Sequence, residues 1–386
     1  MGVPSLQHIV GRADEVGRQV LALYADKIDR EARWPEESIR ALQEAGLAGL
    51  VVPEEFGGLG QGMVGLVRVC EILGKHCASS AISYGMHCVG AAVLAAKPTS
   101  EQSTRFLAPI AEGKHLTTLS LSEPGTGSHF YIPQARLTRA NGGFKLNGSK
   151  TFVTNGSHAD SYVVSAVAET DEGPQTSFTC VALPAGTSGL EWGEPWAGFG
   201  LRGNDARSLA LRDVDVPAEL VLGKIGDEMW YVLNVVAPYF LAAMSGTYLG
   251  IAAAAVEQAI AHLAARRHHH TGSALADNPI LQHRVGSLWA MVERSRQLLL
   301  HAAAEADAGS TDASLALFAS KAEVADVVES VTSGAMTLMG GIAYREHAPL
   351  QRLLRDGRAA HVMSPTTDML RTWTGRWLLD RPIFGD

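Results

Sequence analysis

The chain changes its character twice, from helical to β-rich and back to helical, and this order restricts the folds that it can adopt. Apolar residues recur every three or four positions over residues 9–28, and helical periodicity resumes over residues 63–96. Short alternating or β-branched runs occupy residues 116–214, and long alanine- and leucine-rich segments follow from residue 229. Because strands and helices do not alternate, the order argues against both a Rossmann fold and a TIM barrel.

These segments predict three domains in an α+β protein. At 386 residues the chain is long enough for two or three packed units, at ~150 residues each. We predict an N-terminal helical domain at residues 1–112, a compact, barrel-like antiparallel β-domain at residues 113–228 and a C-terminal four-helix bundle at residues 229–386. The predicted bundle helices are residues 236–267, 279–306, 313–340 and 366–379.

Glycine and proline mark several expected element ends. Pro35 at a first helical position, with acidic residues after it, predicts a helix that ends at Gly46. The segments Asn141-Gly142-Gly143 and Asn147-Gly148 predict tight turns, because asparagine and glycine tolerate positive φ.

Composition and charge exclude several functional classes. The chain is 46% hydrophobic and 19% charged, with a net charge of −8, so nothing favours a nucleic-acid backbone or an anionic membrane. We expect no membrane span, because no apolar run reaches the ~20 residues that one needs. The amino terminus lacks a signal-peptide pattern, which predicts a cytoplasmic protein. The four cysteines show no CxxC pair and no matching histidine spacing, so we expect reduced thiols and no metal site.

Two segments at predicted strand ends carry candidate chemistry. The sequence LSEPGTGS covers residues 121–128, and LNGSKTFVTNG covers residues 146–156. Two such strand-to-loop transitions can present hydroxyls and backbone N–H groups side by side to a planar heterocycle.

Together the two segments resemble the TEPxxGSD and NGxKxWxTNG signatures of the acyl-CoA dehydrogenase family. Three further stretches resemble that family's amino-terminal loop, its GxRxSDTR stretch and its LGGxG…RDAR region: VPEEFGG at residues 52–58, GLRGNDAR at 200–207, and residues 338–358. The resemblance covers essentially the whole chain in order. It implies FAD in a cleft between the β-domain and the C-terminal bundle, in a homodimer or homotetramer.

The resemblance also implies roles for particular residues around the flavin. Ser122 and Thr154 would hydrogen-bond its reactive edge, and Phe152 would replace the tryptophan that flanks the isoalloxazine. Ser128 would meet the flavin pyrophosphate or the CoA arm, and Thr366 would lie by the adenine half. The resemblance also implies that Leu121 and Gly127 bind the cofactor. Gly340 and Gly341 would reach the FAD diphosphate of a neighbouring subunit, where the absence of a Cβ lets the backbone approach.

The sequence departs from the family where the catalytic glutamate belongs. Ser364 takes that position, and Phe240 lies near the alternative position on the first long helix of the bundle. Neither side chain accepts a proton at neutral pH. The backbone N–H of Ser364 stays available to polarise a carbonyl, and Pro365 favours an extended conformation for it.

Other departures concern flavin binding and the acyl pocket. Arg267 and Thr271 lie in the segment that grips the flavin in the family, where Thr271 replaces a phenylalanine, and Thr337 replaces a glutamine. His129 replaces the last aspartate of TEPxxGSD. The resemblance also predicts four residues that line the acyl pocket: Met86, His87, Phe240 and Met363.

Three functions stay open on the sequence alone. The first is FAD-dependent α,β-dehydrogenation of an acyl thioester on CoA or a carrier protein, with a base recruited from Asp368, His129 or His361. The second is a flavin-dependent monooxygenase that needs no such base and hydroxylates a small aromatic or amine. The third is a non-catalytic flavoprotein subunit. The implied protein partner is an electron-transfer flavoprotein or a flavin reductase.

Overall fold

The structure is a computed structural model that describes residues 4–140, 142–168, 178–226 and 228–384. Its first part is helical. Ser5 caps the first helix, because its side chain accepts a hydrogen bond from the His8 backbone N–H. The helices of this part are α1 Leu6–Val16, α2 Ala22–Glu31, α3 Glu36–Glu44, α4 Met63–His76, α5 Ala78–Ala96, α6 Ser100–Gln102 and α7 Ala108–Ala111. Residues Gly17–Leu21 join α1 to α2 as a π-helical turn, so the predicted helix over residues 9–28 is nearly continuous.

The middle part is one sheet of eight strands. The strands are β1 Thr117–Ser120, β2 Arg136–Ala140, β3 Gly143–Val153, β4 Ser161–Ala168, β5 Phe178–Pro184, β6 Leu190–Trp192, β7 Arg207–Pro217 and β8 Val221–Leu222. Their order is β6-β7-β3-β2-β4-β5-β8, and β1 pairs with β4. The pairings are antiparallel except that β1 and β2 each run parallel to β4. The domain was predicted to be antiparallel, but its sheet is mixed, because β1 and β2 each run parallel to β4.

One predicted turn proves to be part of a strand. Asn147 and Gly148 lie inside β3, where the register with β7 shifts at a bulge. Gly148 has a φ of +156°, and a Cβ there would lie 2.6 Å from the Cβ of Ala135. Glycine is therefore needed here because the backbone passes close to Ala135, just before strand β2. The other predicted turn joins β2 to β3 at Gly142, whose φ is +80°, while Asn141 lies outside the described residues.

Long helices return in the last part. They are α8 Glu228–Tyr231, α9 Ala237–Ala265, α10 Pro279–Asp307, α11 Ala313–Met339, α12 Pro349–Gly357, α13 Ala359–Val362 and α14 Thr367–Leu378. The four predicted bundle helices correspond to α9, α10, α11 and α14. Two short helices, α12 and α13, lie between α11 and α14 and were not predicted.

The two helical parts share a core, because α4 packs along α9 at small residues. A Cβ on Gly250 of α9 would lie 2.1 Å from the Glu71 carbonyl oxygen, and one on Gly74 of α4 would lie 2.4 Å from that of Thr247. Two helices of the described chain are long and apolar enough to cross a membrane, Ala78–Ala96 and Val232–Ala265, although the sequence suggested none. In each, about nine tenths of the most apolar window is buried inside the protein (94% and 89%), as expected of core helices.

Candidate functional site

A cavity of about 580 Å³ opens where the three parts of the chain meet. Its walls come from α5 and β1, the 121–128 segment, the end of β3, the loop before β7, the start of α9 and the residues after α12. Eleven of the predicted site residues line it: Met86, Leu121, Ser122, Gly127, Ser128, Phe152, Thr154, Phe240, Met363, Ser364 and Thr366. The tertiary fold therefore brings together residues that are separated by up to 280 positions in sequence.

The inner end of the cavity is apolar. The residues there are aliphatic or thioether side chains on α5, on β1 and at the start of α9: Ile82, Met86, Leu119, Val236, Ala237 and Met244. All six are less than a tenth exposed. Burying an apolar group against them is favourable, whereas a polar group there would lose its hydrogen bonds to water.

Ser122 and Thr154 present hydroxyl groups to the cavity. Within the described chain neither hydroxyl has a hydrogen-bond partner. Their backbones are fixed, because Thr151 N–H donates to Ser122 O at 2.7 Å and the Thr118 hydroxyl donates to Thr154 O at 2.9 Å. Asn155 anchors the same turn through its side-chain amide, which donates to Ser83 O at 2.9 Å and accepts from the Trp34 indole at 3.0 Å. Two free hydroxyls on a rigid wall are suited to a heteroaromatic edge.

Three aromatic rings form one side of the cavity mouth. Phe152 is 63% exposed and Phe199 is 66% exposed, which is unusual for such large apolar side chains. Phe152 meets Trp196 edge to face, with ring centroids 5.8 Å apart, and the Trp196 indole donates to Gly200 O at 3.1 Å. The φ of Phe152 is +54°, and the residue lies at the register shift between Lys150 and Val153 near the end of β3. These rings offer flat apolar surface to a ligand.

A buried ion pair fixes the segment that carries Ser122. Lys150 Nζ lies 2.6 Å from Oε1 of Glu123 and also donates to Leu121 O at 3.3 Å and to the Ser165 hydroxyl at 2.9 Å. The carboxylate of Glu123 further accepts the backbone N–H of Gln134 at 2.5 Å and that of Ala135 at 3.2 Å. Glu123 lines the cavity. Its oxygens are occupied, so it serves as a structural carboxylate.

The residues after α13 close the cavity against the β-sheet part. The Ser364 hydroxyl donates to Gly127 O at 3.2 Å, and the Thr366 N–H lies 3.5 Å from the Ser128 hydroxyl oxygen. Gly127 has a φ of +51°. On the inner side, Lys321 of α11 holds the same residues through three backbone carbonyls. No motif in the sequence predicts a role for Lys321, whose only signal is a lysine within an alanine-rich helix.

The three candidate bases lie outside the cavity. Asp368 is exposed in the first turn of α14, and His129 packs its ring edge to face against Tyr131 with centroids 5.8 Å apart. The Nε2 atom of His361 is 2.9 Å from Glu329, and its Nδ1 atom is 3.1 Å from the Thr367 hydroxyl. The prediction that Asp368 or His129 acts as the base is therefore wrong, because neither side chain lines the cavity. Among the described residues that line the cavity, Glu123 is the one carboxylate and no histidine is present.

His87 lies in the core and does not line the cavity. One of its ring nitrogens, Nδ1, accepts the Thr117 N–H at 3.1 Å, and the other, Nε2, is 3.0 Å from Ala48 O. Burial lowers the pKa of His87 to about 4, so the ring is neutral and its Nε2 donates. The structure thus replaces its predicted role in substrate binding with a packing role.

Five predicted flavin contacts lie outside this chain's cavity, on exposed surface of the last part: Arg267, Thr271, Thr337, Gly340 and Gly341. Arg267 donates to Gly272 O at 3.2 Å, and the Thr271 hydroxyl is 2.6 Å from that of Ser273. A Cβ on either glycine would meet nothing within 4 Å. They are free to approach another molecule and do not contact a ligand in their own cavity.

The loop before β7 is held by α12. Asp356 Oδ1 accepts the N–H of Leu201, a cavity residue, at 2.7 Å, and burial raises the pKa of Asp356 to about 6. Beside it, Arg355 pairs with Asp29 of α2 at 2.5 Å. A Cβ on Gly200 would lie 2.3 Å from Arg355 O, so glycine permits this contact. These residues position the wall that carries Phe199 and Leu201.

The cavity suits a flavin. Free hydroxyls of Ser122 and Thr154 match the hydrogen-bonding edge of the isoalloxazine, and the exposed Phe152 ring and the half-buried Trp196 ring match its flat face. These groups and the residues that follow α13 line the same cavity. This chain therefore supplies the residues that would hold the isoalloxazine ring.

Comparisons with known proteins agree with the site. The N-terminal, middle and C-terminal domain models of acyl-CoA dehydrogenase match residues 4–114, 118–214 and 241–379. The chain is 27% identical over 369 residues to the probable acyl-CoA dehydrogenase YngJ of Bacillus subtilis, covering 95% of each chain. It is 29% identical over 368 residues to the cyclohex-1-ene-1-carbonyl-CoA dehydrogenase of Geobacter metallireducens, again over 95% of each chain.

A solved structure shows the same architecture. Butyryl-CoA dehydrogenase from Megasphaera elsdenii superposes with a TM-score of 0.91 at 27% identity, covering 98% of this chain and 99% of that chain. Matched domain models in order, full-length relatives and a common fold agree. The chain belongs to the acyl-CoA dehydrogenase family and is an FAD-dependent oxidoreductase.

Proposed function

We propose that the protein catalyses α,β-dehydrogenation of a short, apolar acyl thioester, carried on CoA or on a carrier protein. The observation that carries this proposal is that buried apolar side chains line the same cavity as the free hydroxyls of Ser122 and Thr154. An acyl chain that enters this end is surrounded by Met86, Phe240 and Met244. Its thioester then lies near the residues after α13.

The chain's own residues bind and orient the reactants. Ser122 and Thr154 hold the flavin edge, and the inner apolar side chains exclude water from the distal end of the acyl chain. The chemistry that FAD supplies when bound is acceptance of a hydride from the β-carbon. The backbone N–H of Ser364 can donate to the thioester carbonyl oxygen, which makes the α-proton more acidic.

The α-proton passes to water in this proposal. The described cavity residues provide no free carboxylate or imidazole, and the serine hydroxyl at position 364 is a poor acceptor. The α-carbon loses H⁺ to water, its C–H electron pair forms the double bond, and the β-hydrogen leaves as hydride. Slow turnover is the expected consequence, and the rate should rise with pH because hydroxide is a stronger proton acceptor than water.

Anaerobic titration of the FAD-loaded protein tests the proposal. Propionyl-, butyryl-, isobutyryl- and isovaleryl-CoA are added while the visible flavin absorption is followed. Bleaching with release of the enoyl-CoA is expected for at least one of them. The same acyl groups, attached to the phosphopantetheine arm of a carrier protein, are tested in parallel. Added formate or acetate should accelerate bleaching, because either anion can occupy the space left by glutamate. No bleaching on either carrier would refute the proposal.

The missing base favours a second candidate, a monooxygenase that uses reduced flavin and oxygen. Such a reaction on a small aromatic or amine needs no α-proton acceptor. Its distinguishing result is oxygen consumption by the chemically reduced protein that depends on an added aromatic substrate. Uncoupled peroxide formation alone would count against it.

We also propose that a second copy completes the flavin site. Gly340 and Gly341 are exposed at the end of α11, beside the exposed side chains of Ile342 and Tyr344. If they reach a neighbouring subunit's FAD, Gly341→Val should lower FAD content and leave the thermal midpoint of the FAD-free protein unchanged, because a Cβ at Gly341 meets nothing within 4 Å of its own chain. Light scattering after size exclusion measures the copy number, and a monomer that retains FAD would contradict this arrangement.

A further inference from the structure

Lys321 lies under the residues that close the cavity. It is 1% exposed on α11, and its Nζ donates to the carbonyl oxygens of Ala360 at 2.8 Å, Met363 at 3.3 Å and Pro365 at 2.9 Å. Throughout the described ranges no carboxylate pairs with it. Three carbonyl acceptors match the three donors of an ammonium group, so the side chain is satisfied although it is buried.

The contact with Met363 fixes the direction of the next N–H. The peptide bond between Met363 and Ser364 is trans, so its C=O and N–H point in opposite directions. Because the Met363 oxygen faces Lys321, the Ser364 N–H faces the other side of the chain. That N–H has no acceptor in the described parts of the protein, and both Met363 and Ser364 line the cavity.

We propose that Lys321 is a positioning residue that aims and polarises the Met363–Ser364 peptide, so that the Ser364 N–H donates strongly to the thioester carbonyl. This inference rests on the proposed thioester site. A positive charge on the oxygen of a peptide group withdraws electron density from its N–H, and hydrogen bonds in such a chain strengthen one another. The lysine behind this peptide is 1% exposed, so little water screens its charge.

The charge on Lys321 persists at neutral pH. Burial lowers its pKa to about 8, and no charged neighbour contributes to that shift. Assays at pH 7.0 therefore examine the ammonium form. The thioester carbonyl is thus activated by the charge of Lys321, which acts through the Ser364 backbone. Ser364 takes the position where the family has its glutamate.

Two ligands that cannot be dehydrogenated separate the carbonyl contact from the rest of binding. Acetyl-CoA has a thioester carbonyl and no β-carbon, and S-ethyl-CoA has the same length without the carbonyl. For the FAD-loaded wild type we expect acetyl-CoA to bind about tenfold tighter than S-ethyl-CoA. Isotope-edited infrared spectroscopy should show a lowered stretching frequency for the bound ¹³C=O.

The variants are Lys321→Met, Lys321→Gln and, as a matched control on the same helix, Ser320→Ala. The Ser320 hydroxyl is buried and donates to Leu317 O at 3.0 Å, away from the residues after α13. Lys321→Met should reduce the ligand preference to less than threefold and move the carbonyl frequency toward that of free acetyl-CoA. Lys321→Gln should be intermediate, and Ser320→Ala should match the wild type in both readouts.

Several results would overturn the inference. They are equal affinity of the wild type for the two ligands, no binding of either ligand, or a folded, FAD-loaded Lys321→Met protein with the full preference and frequency shift. If Lys321→Met fails to fold, Lys321→Gln and the wild-type measurements decide. The protein could show a carbonyl preference that depends on Lys321 while no acyl thioester bleaches its flavin. That result would refute the proposed reaction and leave the role of Lys321 standing.

Discussion

The Nζ of Lys150 lies 2.6 Å from Oε1 of Glu123, and the two side chains are 0% and 1% exposed. This pair joins β3 to the segment that carries Ser122, so the wall of the flavin site depends on a buried charge interaction. Removing one partner of a buried pair leaves the other charge uncompensated, which costs about 3–5 kcal/mol.

Lys150→Met should therefore lower the free energy of unfolding by about 3–5 kcal/mol, measured by urea denaturation. Adding Glu123→Gln to that variant should recover part of the loss, because the remaining charge disappears while the amide oxygen still accepts one backbone N–H. A double variant no more stable than Lys150→Met would show that the charge itself is not the source.

Ser364→Glu should restore a proton acceptor beside the substrate. General-base catalysis contributes about 10²- to 10⁴-fold, so the rate of flavin bleaching by the best acyl-CoA should rise by at least 10²-fold. Its pH profile should acquire a single ionisation. Ser364→Gln, with the same size and no acid, is the control and should stay near the wild-type rate. A folded, FAD-loaded Ser364→Glu protein without any gain would show that this side chain does not reach the α-carbon.

Thr154→Val should weaken FAD binding by about five- to tenfold, because one hydrogen bond to the ring edge is lost at constant shape. The visible spectrum of the bound flavin should shift as well. Ser149→Ala, at an exposed position of β3, is the matched control. Unchanged FAD affinity and spectrum in Thr154→Val would remove Thr154 from the flavin site.

His87 should make the protein less stable in mild acid. Its folded-state pKa is about 4, below the value of ~6.5 for an unfolded chain, so the unfolded state binds more protons between these values. Stability is then full above about pH 6.5 and falls as the pH drops toward 4, by up to about 3 kcal/mol. Urea denaturation of wild type and His87→Gln at pH 7.5 and pH 5.0 measures this, and the variant should lose less.

Comparing the variant with wild type separates His87 from Asp356, which acts in the opposite sense. The pKa of Asp356 is raised to about 6, so the folded state binds the extra proton and that contribution weakens as the pH rises. Equal losses of stability on acidification in wild type and His87→Gln would show that His87 does not produce the acid sensitivity.

Local pattern was enough to predict most elements. Apolar spacing of three or four predicts the helix that became α1 and α2, because it buries one continuous stripe, and alanine- and leucine-rich composition predicts the long bundle helices. Strand prediction failed at Asn147-Gly148, where turn-forming residues serve a bulge instead of a turn. The difference depends on Ala135, a neighbour that only the folded sheet brings within 2.6 Å of a Cβ at Gly148.

The sequence by itself determined the family, because membership follows from residue identity in short motifs. The same motifs predict Ser122 and Thr154 at the flavin edge and Ser364 at the position of the family's glutamate. Tertiary structure alone decided that Asp368 and His129 face away from the cavity and that His87 is a core residue. It also placed Lys321 behind Ser364. These depend on which side of an element a residue occupies and on partners more than 30 positions away, which short-range spacing does not encode.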